Sequence, residues 1–199
     1  MILLLLLFFT QMKAHADPVP NVNYSPKLSL RMANGILQSA SNVGGSSLSL
    51  AGLNLSFHYF LNTQFSLGLG YRADFDFANS DVAINGFFAL GRWYFKGKGT
   101  RVHTSENGIE SESRDDLAFY TGFEVSKLNY FLGSNTTTLN TQQTGDFVQT
   151  NILVGGDLKI AKNLELTGEI NYSLFSFSGS DDRYRIKNIL LLLGISYIW

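Results

Sequence analysis

The residues LLLLGISYIW, numbers 190–199, end this chain of 199 residues and indicate how the rest of it folds. Counted back in steps of two, Trp199, Tyr197, Ile195, Leu193 and Leu191 form an unbroken apolar face, whereas the other face is mixed. Successive side chains of a strand point to opposite faces, so the stretch predicts a β-strand with one wholly apolar face. A run of ten residues is too short to span a membrane as a helix. The alternative is a buried strand that ends a soluble domain.

Composition excludes several classes of function. Charged residues make up 16% of the chain, the formal net charge is −1, and cysteine is absent. The sequence has no basic patch interleaved with aromatic residues, so nucleic acid is not an expected partner. Without cysteine there can be no disulfide framework, thiol nucleophile or thiolate metal site. We expect neither a metal nor a cofactor.

The N-terminus is typical of an export signal. Residues 2–9 are an apolar run of signal-peptide length, and Ala14-His15-Ala16 supplies the small residues of a cleavage site. No Lys or Arg precedes the apolar run, which departs from the usual pattern. We therefore expect a signal peptide at 1–16 and a periplasmic lead-in at 17–26, with a buried first element as the alternative.

Eight stretches of the mature chain alternate between apolar and polar residues, each near the length of a tilted strand that crosses a bilayer. The third is the most regular, because Leu67, Leu69 and Tyr71 alternate with Gly70 and Arg72. The predicted strands are 27–38, 48–61, 65–77, 82–95, 117–131, 147–160, 164–175 and the closing stretch up to Trp199. Polar loops are expected near 39–47, 78–81, 132–146 and 176–183, with tight turns at 62–64 and 161–163.

The fourth stretch and the segment after it are less regular. Val82, Ile84, Phe88, Leu90 and Tyr94 are assigned to its apolar face, together with Arg92. That assignment places Arg92 at the membrane edge, where a long side chain can extend towards water, unless a bulge near Phe87-Phe88 changes the alternation. The polar segment 96–116 is longer than a usual turn. Either it forms an elaborated turn, or two of the predicted strands are wrongly bounded.

The distribution of polar residues decides which face points outward. Glycines and charges of both signs share one face of the strands, which suits the filled interior of a narrow barrel, and the opposite face is almost continuously apolar. Aromatic residues near the strand ends resemble the two girdles of a membrane barrel. The predicted girdle residues are Tyr59, Phe65, Phe75, Phe77, Tyr94, Tyr130, Phe131, Phe175 and Tyr184. The expected fold is all-β, an eight-stranded antiparallel up-and-down transmembrane barrel, with both termini on the periplasmic side.

With these features the chain resembles the small eight-stranded outer-membrane β-barrels of bacteria, the OmpA/OmpX-like group. The resemblance covers 27–199 and is architectural, so it implies a fold and not a specific function. It implies localisation in the outer membrane, a monomeric state, and contacts with outer-membrane lipid and lipopolysaccharide. It also implies that the barrel-assembly machinery reads a C-terminal signal, here Leu191, Leu193, Ile195, Tyr197 and Trp199.

The polar faces predict a charged lumen. Its expected members are Arg31, Arg72, Asp74, Glu124, Asp157, Lys159, Glu165 and Glu169, with His58 among them. Arg31, Glu124 and Glu169 fall at similar heights, which favours a plug of paired charges because an unpaired charge in a dry interior is costly. The alternative is a narrow ion path.

Four functions follow from this reading. A structural or surface-interaction barrel is favoured, and a small pore for ions or small solutes is the main alternative. A lipid-modifying enzyme is less favoured, because no second histidine clusters with His58 and no catalytic set is evident. A soluble, lipocalin-like binder would require the apolar faces to point inward.

Overall fold

The computed structural model describes residues 23–41, 44–76, 82–97, 99, 102–106, 109–113, 115–132, 143–178 and 185–199. The signal-peptide prediction and the girdle residues Phe77 and Tyr184 lie outside these ranges. The strands are β1 (Asn23–Tyr24), β2 (Lys27–Ser41), β3 (Gly44–Phe60), β4 (Phe65–Phe75), β5 (Val82–Lys96), β6 (Val102–Glu106), β7 (Ile109–Ser113), β8 (Leu117–Leu132), β9 (Gln143–Ala161), β10 (Leu164–Ser178) and β11 (Arg185–Ile198). No helix within the described ranges is long and apolar enough to cross a membrane.

Eight of these strands close into an antiparallel barrel in the order β10-β11-β2-β3-β4-β5-β8-β9. The closing strand predicted from the sequence pairs with β10 through Leu164↔Tyr197 and with β2 through Ile198↔Lys27. Closure satisfies the backbone of every barrel strand on both edges, as a membrane requires. The predicted eight-stranded barrel is therefore confirmed.

The barrel has two ends. The end that carries Lys27, Ile198 and the tight turns at 61–64 and 162–163 is called the proximal end here, and the opposite end the distal end. Several strands reach further at the distal end than predicted. β2 and β3 continue to Ser41 and Gly44, so most of the loop expected at 39–47 is strand.

Apolar side chains cover the outside of the barrel. Met32, Leu69 and Phe87 have exposed fractions of 71%, 69% and 72%, whereas Arg31, Arg72 and Glu169 inside are at most 2% exposed. Such a continuous exposed apolar surface is foreign to a soluble protein. This arrangement contradicts the lipocalin-like alternative, in which the apolar face would be internal.

The assignment of β5 was wrong. Val82, Ile84, Phe88, Leu90, Arg92 and Tyr94 are buried inside the barrel, while Phe87, Trp93 and Phe95 point outward. Pairing with β4 and β8 is regular through Phe87 and Phe88, and a register shift occurs only between Tyr94 and Lys96. The reason is space, because inward-facing glycines on β4 leave room for bulky side chains of β5. A Cβ at Gly68 would lie 3.1 Å from Leu90 Cδ1.

Two predicted girdle residues are also inside. Tyr94 is fully buried, and Tyr130 packs inward against Phe147 with ring centroids 6.1 Å apart. Tyr130 follows the inward alternation of Leu128, which the sequence pattern of β8 already implied. The other described members of the predicted girdle lie on the outer face, partly or fully exposed: Tyr59, Phe65, Phe75, Phe131 and Phe175.

The polar segment between β5 and β8 forms an elaborated turn. β6 and β7 form a hairpin, and β1 pairs with β6 through Asn23↔His103 and Tyr24↔Val102. The result is a three-stranded sheet at the proximal end that joins the N-terminal lead-in to this turn. The strand boundaries predicted on either side of 96–116 are therefore sound.

Candidate functional site in the barrel lumen

The lumen is filled with buried charged and polar side chains. Its charged members within the described residues are four cations and six carboxylates, all at most 4% exposed: Lys27, Arg31, Arg72, Arg92, Asp74, Asp76, Glu124, Asp157, Glu165 and Glu169. Alternation along each strand directs them inward, and the narrow interior of eight strands brings them together.

The proximal layer is built on one lysine. Lys27 Nζ lies 2.6 Å from Asp157 Oδ2 and 2.8 Å from Glu165 Oε2. Asp157 also accepts hydrogen bonds from the hydroxyls of Tyr94, at 3.0 Å, and Thr167, at 2.8 Å. Two carboxylates therefore share a single buried ammonium group, and neutral hydroxyls complete the shell of Asp157.

The middle layer is built on one carboxylate. Glu169 pairs with Arg31 through Oε1 at 2.8 Å and with Arg92 through Oε2 at 2.5 Å. The Tyr120 hydroxyl donates to Oε2 at 3.0 Å, and the Arg92 guanidinium lies over the Tyr120 ring, 4.4 Å from its centroid. Arg31 also donates to Asn54 Oδ1 at 2.9 Å. These contacts join five strands across the barrel: β2, β3, β5, β8 and β10.

The upper layer is paired less closely. Arg72 Nε lies 3.0 Å from Asp74 Oδ2, and Arg72 Nη1 lies 3.9 Å from Glu124 Oε1. The Glu124 carboxylate accepts instead from the amides of Asn151, at 2.9 Å, and Asn171, at 3.2 Å. Its charge is thus held mainly by neutral donors.

An apolar cluster occupies the distal end of the lumen, beyond the upper layer. It is called the distal cluster here and consists of Leu50, Val82, Ile84, Leu128 and Phe147, with Tyr130 packed against it. Every core member is at most 1% exposed. The lumen therefore holds three charged layers, with a second buried apolar cluster that includes Phe60, Phe88 and Leu90 beside them, and close-packed apolar side chains at the distal end.

Several solved structures have a similar architecture. The chain is similar to Neisserial surface protein A, with a TM-score of 0.62 and 13% identity, covering 89% of this chain and 99% of that protein. For OprG of Pseudomonas aeruginosa, described as an outer membrane protein, the TM-score is 0.55 with 12% identity, and the coverage is 92% and 99%. For the N-terminal β-barrel domain of Pseudomonas aeruginosa OprF the TM-score is 0.50 with 11% identity, and the coverage is 89% and 100%. This chain has the fold of the small outer-membrane β-barrels. No family model and no curated protein matches its sequence, and at such low identity the likeness concerns the fold alone.

In this outer-membrane-type barrel, most residues predicted for the lumen are buried. Arg31 and Glu169 are in direct contact, and Arg72, Asp74 and Glu124 meet in the upper layer. Lys159 is the exception. It lies at the proximal rim with 30% of its side chain exposed, 3.9 Å from Asp116, so it belongs to the barrel edge rather than to the buried layers.

Three buried lumen charges, Lys27, Arg92 and Asp76, are absent from the residues predicted for the lumen. Lys27 is the first residue of β2, where a rim position would leave it in solvent, and Arg92 was assigned to the outer face. A signal was present, because the predicted lumen list held three cations against five carboxylates. The surplus of carboxylates indicated that further cations point inward. Arg92 was a candidate, because it lies on a strand whose alternation is irregular.

His58 lies in the lumen, as its alternation predicts. Its Nε2 is 2.9 Å from Ser56 Oγ, and both side chains are at most 1% exposed. No acidic side chain is seen on the other ring nitrogen of His58 among the described contacts, so a Ser-His-acid arrangement is not formed. Nor do the described residues include a cluster of three His, Cys, Asp or Glu side chains that could hold a metal.

Proposed function

We propose that this protein resides in the outer membrane as a monomeric barrel with a closed lumen and a structural or surface-interaction role. The observation that carries the proposal is the pairing of buried charge at successive levels of the lumen beneath the distal cluster. A barrel of eight strands is just wide enough for side chains to fill it. Breaking any of these pairs exposes an unpaired charge to a dry interior, which favours the closed state.

The apolar outer face supports the proposed location. The outward residues from Ile189 to the C-terminus form an apolar stripe, with Lys187 beyond it towards the distal end: Ile189, Leu191, Leu193, Ile195, Tyr197 and Trp199. Because the first barrel strand begins at Lys27 and the last ends at Ile198, both at the proximal end, we propose that this end faces the periplasm and the distal end the outside of the cell. We further propose that Trp199 and the alternating residues before it are recognised by the barrel-assembly machinery after export through a cleaved signal peptide.

Three measurements test this proposal. Membrane-extracted protein should migrate differently before and after heating, as a closed barrel does, and it should fractionate with the outer membrane. Reconstituted protein in planar bilayers should give no stable unitary conductance steps. Heat-denatured protein is the matched control for the bilayer experiment, since it retains the chain but not the barrel. Recovery of the protein in the soluble periplasmic fraction would contradict the location.

A small pore is the second candidate, and one observation favours it. Polar side chains line the lumen almost continuously from Lys27, through Glu169 and Glu124, to the hydrogen-bonded Gln149 and Asn188. Stable unitary steps in planar bilayers would favour this function over the closed barrel. We propose no enzymatic role, and unchanged lipid A in a deletion strain, measured by mass spectrometry, is the expected result.

A further inference from the structure

The outer apolar band is interrupted by polar residues towards the distal ends of β5 and β8. The outward residues of β8 run from Leu117 through Phe123 and Val125, change to Lys127 and Asn129, and end with Phe131. On the neighbouring strand β5 the outward series reaches Phe87 and then changes to Asn85. The register places Asn85 directly opposite Asn129, and Phe87 opposite Lys127. A cation and two carboxamides thus form one outward polar patch in the distal part of this face, with Phe131 beyond it.

This patch is accessible. The Lys127 side chain is 70% exposed and lies 3.8 Å from Asp146, whose side chain is 50% exposed. An exposed pair of this kind contributes little to stability, so the ammonium group can exchange Asp146 for another anion. Below it, Phe87, Phe123 and Val125 expose 72%, 63% and 51% of their surfaces. The surface therefore combines a cationic, hydrogen-bond-donating edge with an adjoining broad apolar area.

We propose that Lys127, Asn85 and Asn129 bind the phosphate of a phosphorylated lipid in the outer leaflet, with its acyl chains lying on Phe87, Phe123 and Val125. The inference rests on the proposed outer-membrane location and names a specific lipid partner for the barrel. Ammonium and amide groups are suitable donors to phosphate oxygens. The same register that groups these donors puts apolar surface directly on their membrane side, where acyl chains of a lipid would lie.

The chain offers a matched control. Lys187 also points outward, immediately beyond the last apolar residue of its strand, Ile189. Its partner on β2 is Gln38, and it lies on the other side of the barrel from Asn85 and Asn129. A neutral substitution at Lys187 therefore removes the same charge at the same edge of the band without touching the proposed site.

The experiment compares lipid binding by barrels reconstituted in phosphatidylcholine nanodiscs that contain a small fraction of diphosphorylated lipid A. Native mass spectrometry of the released protein counts the retained lipid A. Lys127→Gln should reduce retention about fivefold, the equivalent of roughly 1 kcal/mol per basic residue at an anionic membrane surface. Lys187→Gln should change it less than about twofold, and Asp146→Asn should increase it, because a competing carboxylate is removed.

Four results would overturn the site. Equal losses for Lys127→Gln and Lys187→Gln would show general charge attraction, and equal retention of lipid A lacking its phosphates would show that acyl chains alone are recognised. Unchanged retention in Lys127→Gln, with heat-modifiable migration intact, would remove this site but leave the outer-membrane proposal standing. Failure of the unmodified protein to enter nanodiscs would reject both.

Discussion

The two faces of the barrel wall place opposite demands on the same strands. On the outer face of β4, Leu69 and Tyr71 need no specific partner, because lipid tails accept any apolar side chain. On the inner face of the same strand, Arg72 is buried and depends on Asp74 at 3.0 Å. A substitution outside should therefore be governed by depth in the membrane, and a substitution inside by the partner that it leaves behind.

The inner face should show the largest effect, at Glu169. Glu169→Gln leaves both Arg31 and Arg92 without their shared carboxylate, and the loss of one partner from a buried pair costs about 3–5 kcal/mol. Unfolding free energy in lipid vesicles is the measurement. Asp116→Asn, which changes an exposed carboxylate at the rim, is the control and should have little effect.

A double-mutant cycle sharpens this prediction. Arg31→Gln combined with Glu169→Gln should recover only part of the loss, because Arg92 remains unpaired, and adding Arg92→Gln should recover more. Residues that share a partner show non-additive energies. Strictly additive losses across the three positions would mean that the middle layer is not an energetic unit.

On the outer face the expected effect depends on depth. Leu69→Arg places a charge near the middle of the apolar band and should cost about 2–4 kcal/mol, whereas Phe75→Arg, near its distal edge, should cost about 0–1 kcal/mol. Arginine substitutions at Leu67, Leu69, Tyr71 and Phe75 give the series, again by unfolding in vesicles. A flat profile would contradict the outward, lipid-facing assignment of this face.

The same contrast explains how far the sequence could lead. On β4 the inner face is small or charged and the outer face apolar, so alternation alone assigns every residue correctly. On β5 both faces are apolar, because Phe88 and Leu90 fill space that Gly68 and Gly70 leave open on the adjacent strand. Alternation gives the two faces of such a strand but not their direction, which depends on a neighbour in the register.

Individual pairs within the lumen could be predicted only in part. The pairing of Arg31 with Glu169 follows from alternation and similar height. The second pairing of Glu169, with Arg92, depends on which face of β5 points inward. Pairing of β1 with β6 joins residues 23–24 to 102–103 across the proximal end, and no local pattern encodes that contact. Long-range register, rather than local alternation, therefore determines what the sequence reading missed.

Trp199 tests whether assembly and stability can be separated on the outer face. Its ring is half exposed and meets Tyr197 and Phe57, with centroids 5.5 Å and 6.3 Å away. Deletion of Trp199 should lower stability in detergent by only about 0.5–1.5 kcal/mol, the range of such aromatic pairs, but should strongly reduce the amount of barrel in the outer membrane. Folding in detergent and membrane yield in cells are measured side by side. Equal losses in both settings would mean that the residue serves packing only.

The smallest effect is expected at Lys159, which is two residues from Asp157 on the same inward-alternating positions of β9. Asp157 is buried and paired with Lys27 at 2.6 Å, whereas Lys159 is 30% exposed and 3.9 Å from an Asp116 that is 85% exposed. Solvent screens the rim pair, so Lys159→Gln should change the unfolding free energy by about 0–1 kcal/mol. Lys27→Gln, which leaves two buried carboxylates without their cation, should cost several times more.

Both variants are compared in the same vesicles at low and high salt, and only the effect of Lys159→Gln should diminish with salt. A large, salt-independent loss of stability in Lys159→Gln would mean that the buried ion-pair network includes Lys159. The rim of the barrel would then not differ from its interior in this respect.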